Sequence, residues 1–85
     1  MSDLNFTLYS KADCSLCDKA KVALAHFKSE CYFALSVVDI TTDSEAFEKY
    51  KFDIPVLAIN GVEAAKHSIS IEKLRVLVKR HAAHK

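Results

Sequence analysis

Two cysteines three positions apart, in the run Cys14-Ser15-Leu16-Cys17, stand where a strand-like apolar segment gives way to a helical pattern. That context is narrower than the spacing alone. A cysteine at a helix N-terminus has its thiolate stabilised by the positive end of the helix dipole and by backbone N–H groups that lack intrahelical acceptors. Its pKa therefore falls below the ~8.5 of an ordinary thiol. Cys14 is the candidate nucleophile. A residue three positions further along a helix lies on the same face one turn later, so the Cys17 sulfur reaches a mixed disulfide formed at Cys14 and expels the bound thiol. Cys17 is the candidate resolving thiol, expected to be buried, with Cys14 exposed at the helix tip.

Lys11 adds local positive potential favouring the thiolate, and Asp13 acts in the opposite sense. The plain alternative for Asp13 is a helix N-cap, which is the preferred reading. The alternative for the cysteine pair is half of a zinc site completed by Cys31 and a histidine. No second Cys-x-x-Cys or His-x-x-His cluster accompanies it, so no metal ligand is assigned. Cys31 opens an apolar segment and reads as a small buried hydrophobe. His26, His81 and His84 are given no chemistry.

The elements that position the pair follow from periodicity. Leu4 to Tyr9 reads as a strand. From Cys14 to about Ser29, the positions Cys17, Ala20, Leu24 and Phe27 form a helical stripe, widened by Leu16 and Ala23. Cys31 to Asp39 is nearly continuous in apolar and β-favouring residues, so it is expected to be a strand in the centre of the sheet. Thr42 and Glu45 fit a capping box opening a short helix to about Lys51, with Phe47 and Tyr50 on its apolar side. Pro55–Ile59 and Val62–Lys66 flank Asn60-Gly61, a type I′ hairpin signal. Ser70 caps a last helix whose apolar face is Ile71, Leu74, Leu77 and Val78. The order β-α-β-α-β-β-α, with its strand-helix-strand crossover, predicts an α/β fold: a four-stranded mixed sheet with helices on both faces.

A chain of 85 residues, 51% hydrophobic and 27% charged with one Gly and one Pro, is expected to form a single globular domain over residues 1–85. A net charge of +1 gives no reason to expect nucleic acid or an anionic membrane as partner. The basic residues Lys79, Arg80, His81, His84 and Lys85 read as cations at a helix C-terminus and a solvated tail. No secretory signal or membrane span is evident, and three cysteines without such a signal favour redox or metal chemistry over a disulfide framework. A cytoplasmic location and a monomer are the expectations.

Taken together, Leu8 to Cys17, Val38-Asp39-Ile40 and Ile54-Pro55-Val56 resemble the glutaredoxin branch of the thioredoxin superfamily, over nearly the whole span from Phe6 to about Val78. The resemblance implies the thioredoxin-like fold. It also implies a cis peptide bond before Pro55 and a role for the Ile54 backbone in pairing with a bound peptide or glutathione by strand addition. Lys11, Ile54 and Pro55 are thus the implied substrate-binding residues beside the catalytic Cys14 and Cys17. Two departures bear on the substrate. Ser15-Leu16 replaces the Pro-Tyr common in dithiol glutaredoxins, closer to small Cys-x-Leu-Cys relatives. Lys66-His67-Ser68-Ile69-Ser70 stands where the family carries a Gly-Gly-x-Asp stretch that holds glutathione.

Three functions compete at this point. The first is a thiol-disulfide oxidoreductase exchanging with disulfide-containing proteins or glutathione mixed disulfides, with glutathione as a possible reductant and no tightly bound cofactor. The second is a redox-regulated or metal-binding adaptor without turnover. The third is an iron-sulfur carrier, against which the second cysteine and the altered glutathione segment both count.

Overall fold

Alternation along Asn5–Ser10 sends Phe6 and Leu8 to one face, where both are fully buried, and Tyr9 to the other. In the computed structural model, which describes residues 4–83, this segment is strand β1. It is followed by helix α1 (Ser15–Phe27), strand β2 (Ala34–Asp39), a 3-10 turn (Ile40–Thr42), helix α2 (Ser44–Tyr50), strands β3 (Val56–Ile59) and β4 (Val62–Lys66), and helix α3 (Ile71–Ala83).

The strands lie in the order β2-β1-β3-β4. β1 pairs with β2 in parallel, Ser10 opposite Asp39, and antiparallel to β3, Tyr9 opposite Val56. β3 and β4 form the expected hairpin. Asn60 and Gly61 both adopt positive φ, 51° and 84°, as a type I′ turn requires. Asn60 also ties the turn to β1: its N–H donates to the Asn5 carbonyl and its Oδ1 accepts the Asn5 N–H, each at 2.8 Å.

Each face of the sheet buries its own cluster. On one side Phe6, Leu8, Leu57 and Ile59 pack with Ala20, Leu24 and Phe27 of α1, Leu74 of α3 and Phe33. The Phe6 and Phe33 rings stack at 4.5 Å between centroids. On the other side Val56 meets Ile40, Ala46 and Tyr50, with Tyr9 against Tyr50 at 4.5 Å. Burying a side chain such as Leu24 contributes about 1.5–3 kcal/mol, and the 17-20-24-27 stripe does so along the whole of α1. Arg75 of α3 binds Glu30, just beyond α1, with two hydrogen bonds of 2.8 and 2.6 Å, clamping the two helices across the same face.

Several sequence expectations are corrected. The second strand is shorter, Ala34–Asp39, and lies at a sheet edge; its residues are exposed or half-buried, so its apolar run marks β-propensity rather than a central position. The central strands are β1 and β3, of which β3 is buried on both faces. The Thr42–Glu45 capping box does not form. Asp43 is the N-cap of α2, its carboxylate accepting the Glu45 and Ala46 N–H groups, while the Thr42 hydroxyl turns back to the Asp39 carbonyl. Within α2, Ala46 and Tyr50 are buried and Phe47, expected on the apolar side, is exposed. Leu16 is exposed instead of joining the α1 stripe. His81 lies within α3 and pairs with Asn60 Nδ2 at 3.1 Å, so it is part of the helix and not of a tail; His84 and Lys85 lie outside the described residues. No helix among the described residues is long and apolar enough to cross a membrane.

Candidate active site

β1 ends at Ser10, and the chain must turn sharply to start α1 within four residues. Asp13 makes that turn by adopting φ 59°, a left-handed conformation that Asp tolerates better than most side chains. It is therefore not the helix cap. The N-cap is Cys14 itself, extended at φ −119° and ψ 105°, with its sulfur accepting the Cys17 N–H at 3.2 Å. The position that Ser, Thr, Asp or Asn usually fills at a helix start is thus held by Cys14, whose sulfur takes the Cys17 N–H of the first turn.

Cys14 and Cys17 are joined as a disulfide, with Cα atoms 5.2 Å apart. Cys14 is partly exposed and Cys17 is 0% exposed, the asymmetry expected of an attacking and a resolving thiol. Cys31 is free and half-buried, far along the chain at the opposite end of α1, its thiol directed to the Tyr32 carbonyl at 3.7 Å. Among the described residues, no three His, Cys, Asp or Glu side chains gather in a group that could hold a metal ion.

The β1–β3 register places the other implied residues at the same end of the sheet. Tyr9 opposite Val56 is the last pair, so the Lys11–Cys14 segment and the Ile54-Pro55 segment leave from adjacent strand ends. The Ile54–Pro55 peptide bond is cis, as the resemblance implies. Pro55 is buried, and Ile54 packs its side chain partly against the α2 cluster. Among the described residues the Ile54 N–H and C=O have no hydrogen-bond partner. Lys11 is exposed and makes no ion pair or side-chain hydrogen bond with the described residues.

A support for this segment escaped the sequence reading. His67, just past β4, adopts φ 67° and donates its N–H to the carbonyls of Pro55 (2.8 Å) and Asp53 (3.3 Å). The Asp53 carboxylate is flanked by Lys66 Nζ and His67 Nε2, each at 3.7 Å. The hydrogen bond that Lys66 donates to the Glu63 carboxylate, and then the charge of Asp53, raise the Lys66 pKa above its ordinary value. Nothing in a histidine announces positive φ, so the sequence offered no signal for this bracket. At the end of β2, the Thr41 hydroxyl and backbone N–H hold the Asp39 carboxyl below its ordinary value, through bonds of 2.6 and 2.9 Å.

A family model described as a glutaredoxin-like domain (DUF836) matches residues 5–79. Among solved structures, the X. campestris protein XcR50 matches with a TM-score of 0.72 and 29% identity, over 88% of this chain and 96% of that one. Thioredoxin 1 from Thermosipho africanus matches with a TM-score of 0.69 and 15% identity, over 93% and 94% of the two chains. Fasciola hepatica thioredoxin matches with 0.66 and 24%, over 93% and 81%. The two thioredoxins establish the fold, and the family model reaches from β1 well into α3. This chain belongs to the glutaredoxin-like domain family and has the thioredoxin fold.

Proposed function

We propose that this protein is a thiol-disulfide oxidoreductase that turns over through Cys14 and Cys17. The observation that carries the reading is the Cys17 N–H directed at the Cys14 sulfur, 3.2 Å away, at the head of a 13-residue helix. In the reduced protein the same donor and the helix dipole favour the Cys14 thiolate. That thiolate attacks one sulfur of a substrate disulfide, forming a Cys14 mixed disulfide and releasing the first substrate thiolate. Cys17 then gives up its proton and attacks the Cys14 sulfur. The Cys14–Cys17 disulfide forms, the second substrate thiolate leaves, and two electrons have passed from the dithiol to the substrate. A dithiol donor, or two molecules of glutathione, returns the pair to the reduced state.

Lys11 supplies positive potential near the nucleophile. Ile54 offers its backbone N–H and C=O to an extended substrate segment, and Pro55 holds that segment in place. The substrates are disulfide-containing proteins or glutathione mixed disulfides, and the protein works as a cytoplasmic monomer with no tightly held cofactor.

The test is trapping. Cys17→Ser leaves Cys14 able to form a mixed disulfide and unable to release it internally, so a covalent adduct with a disulfide substrate accumulates and is visible by mass. Reduction of protein disulfides by this variant at the parental rate, with no adduct, would show the dithiol mechanism to be wrong.

A further inference from the structure

Leu16, between the two cysteines, is 43% exposed and does not join the core. It opens a groove of about 320 Å³ that runs along α1 toward His26, between that helix and the start of α3. Its walls are apolar at Leu16, Val22, Ile69 and Ile71, with Val22 also largely exposed. Among the described residues, the charged or titratable side chains lining it are Lys19 and His26, and no carboxylate lines it. Asp18, in the first turn of α1, lies outside its lining.

The dimensions suit a peptide. Leu16 to His26 is ten residues of helix, about 15 Å at 1.5 Å per residue, the length of four or five extended residues at about 3.3 Å each. Lys19 lies five residues, about 7.5 Å along the axis, beyond Cys14, which is two or three residues of extended chain from a sulfur held at the nucleophile.

We infer that this groove reads the polypeptide flanking the substrate disulfide and selects a segment with an apolar side chain next to the cysteine and a carboxylate two or three residues away. The apolar side chain lies against Leu16, and the carboxylate meets Lys19. Leu16 and Lys19 are specificity-determining residues for protein substrates. The inference rests on the oxidoreductase reading and deepens it by naming the substrate class.

The experiment uses two kinds of substrate with the reduced, full-length protein. A small aromatic disulfide, too short to enter the groove, reports the dithiol chemistry alone. Matched peptides joined by a disulfide carry Leu or Ser beside the cysteine and either Glu or Lys two or three residues away, in one series on the N-terminal side and in another on the C-terminal side. The expected result is reduction of the small disulfide and, in at least one series, a kcat/KM for the Glu peptide about five- to tenfold above that for the Lys peptide. A preference of that size matches about 1 kcal/mol of screened ion pairing, so it shrinks in 0.5 M salt. Lys19→Glu inverts the Glu-to-Lys ratio, and Leu16→Ser removes the advantage of Leu over Ser beside the cysteine. If the small disulfide is reduced and neither series shows a charge preference, the groove assignment is overturned and the oxidoreductase reading stands. If no disulfide of either kind is reduced, both readings fall.

Discussion

The N–H of Cys17 lies 3.2 Å from the sulfur of Cys14, so under the proposed mechanism the resolving residue helps to activate the nucleophile through its backbone before its own sulfur reacts. Reduced Cys14 is accordingly the first thiol to be alkylated, at pH values where an ordinary thiol is still largely protonated. Cys31, half-buried and away from a helix N-terminus, and Cys17, fully buried, follow later. Peptide mapping of alkylation against pH measures this. A Cys14 profile centred at or above the ~8.5 of a free thiol contradicts the assignment.

Arg75 and Glu30 form a two-pronged pair that links α3 to the end of α1, and it predicts a direction for acid unfolding. The hydrogen bond from Arg75 lowers the Glu30 pKa below its ordinary 4.5. A carboxyl depressed by folding contributes stability that is fully present above its unfolded value and is lost as pH falls through the depressed folded value. Asp39, lowered by Thr41, acts with the same sign. Denaturation midpoints measured at pH 7 and at pH 3 therefore fall less for Glu30→Gln than for the parent. An equal or larger acid loss in the variant contradicts the role given to this pair.

Where sequence and structure agree, one local signal was enough. The stripe of Cys17, Ala20, Leu24 and Phe27 fixed α1 and the burial of the resolving cysteine, and Asn60-Gly61 fixed the hairpin. Where they differ, two local signals competed and tertiary packing chose. Asp43, next to the expected Thr42, takes the cap, and Ala46 with Tyr50, rather than Phe47, faces the core. The apolar run before Asp39 fits a central or an edge strand equally well; the antiparallel pairing of β3 with β1 takes the central place and leaves β2 outside. Asp13 reads as a cap because Asp caps helices often, yet the turn needs it at positive φ and passes the cap to Cys14. The His67 bracket on Pro55 joins residues far apart in the chain through a backbone donor, which side-chain identity does not encode.

Gly61 gives a clean measure of backbone conformation. Its φ of 84° disfavours any residue with a Cβ, yet a Cβ built there meets nothing within 4 Å. Gly61→Ala therefore costs only conformational strain, about 1 kcal/mol, and lowers Tm by roughly 4–8 °C for a domain of this size. Oxidoreductase turnover should hardly change, because the turn lies at the end of the β3–β4 hairpin opposite the dithiol. Thermal unfolding together with a small-disulfide assay checks both parts. An unchanged Tm contradicts the strain argument.

The last prediction concerns glutathione. Lys66 to Ser70 stands where the glutaredoxins that the sequence resembles carry Gly-Gly-x-Asp, and the local contacts leave little for a ligand carboxylate. The Ser70 hydroxyl accepts the Lys73 N–H at 3.1 Å, so one first-turn donor of α3 is already satisfied, and the Lys73 ammonium donates to the Ser68 carbonyl at 3.1 Å. His67 spends its N–H on Pro55 and Asp53. What remains for glutathione is Lys11 and the Ile54 backbone, with Lys19 as the cation of the neighbouring groove. Losing two or three charge-assisted bonds, at about 1–3 kcal/mol each, weakens affinity by one or more orders of magnitude. Turnover of a glutathionylated model substrate is therefore expected to be slow with glutathione as donor and faster with a protein dithiol donor, and measuring both rates on one preparation separates the cases. Efficient glutathione-dependent turnover that Lys11→Ala abolishes is the contrary result; it would mean that Lys11 and Ile54 suffice without the missing loop.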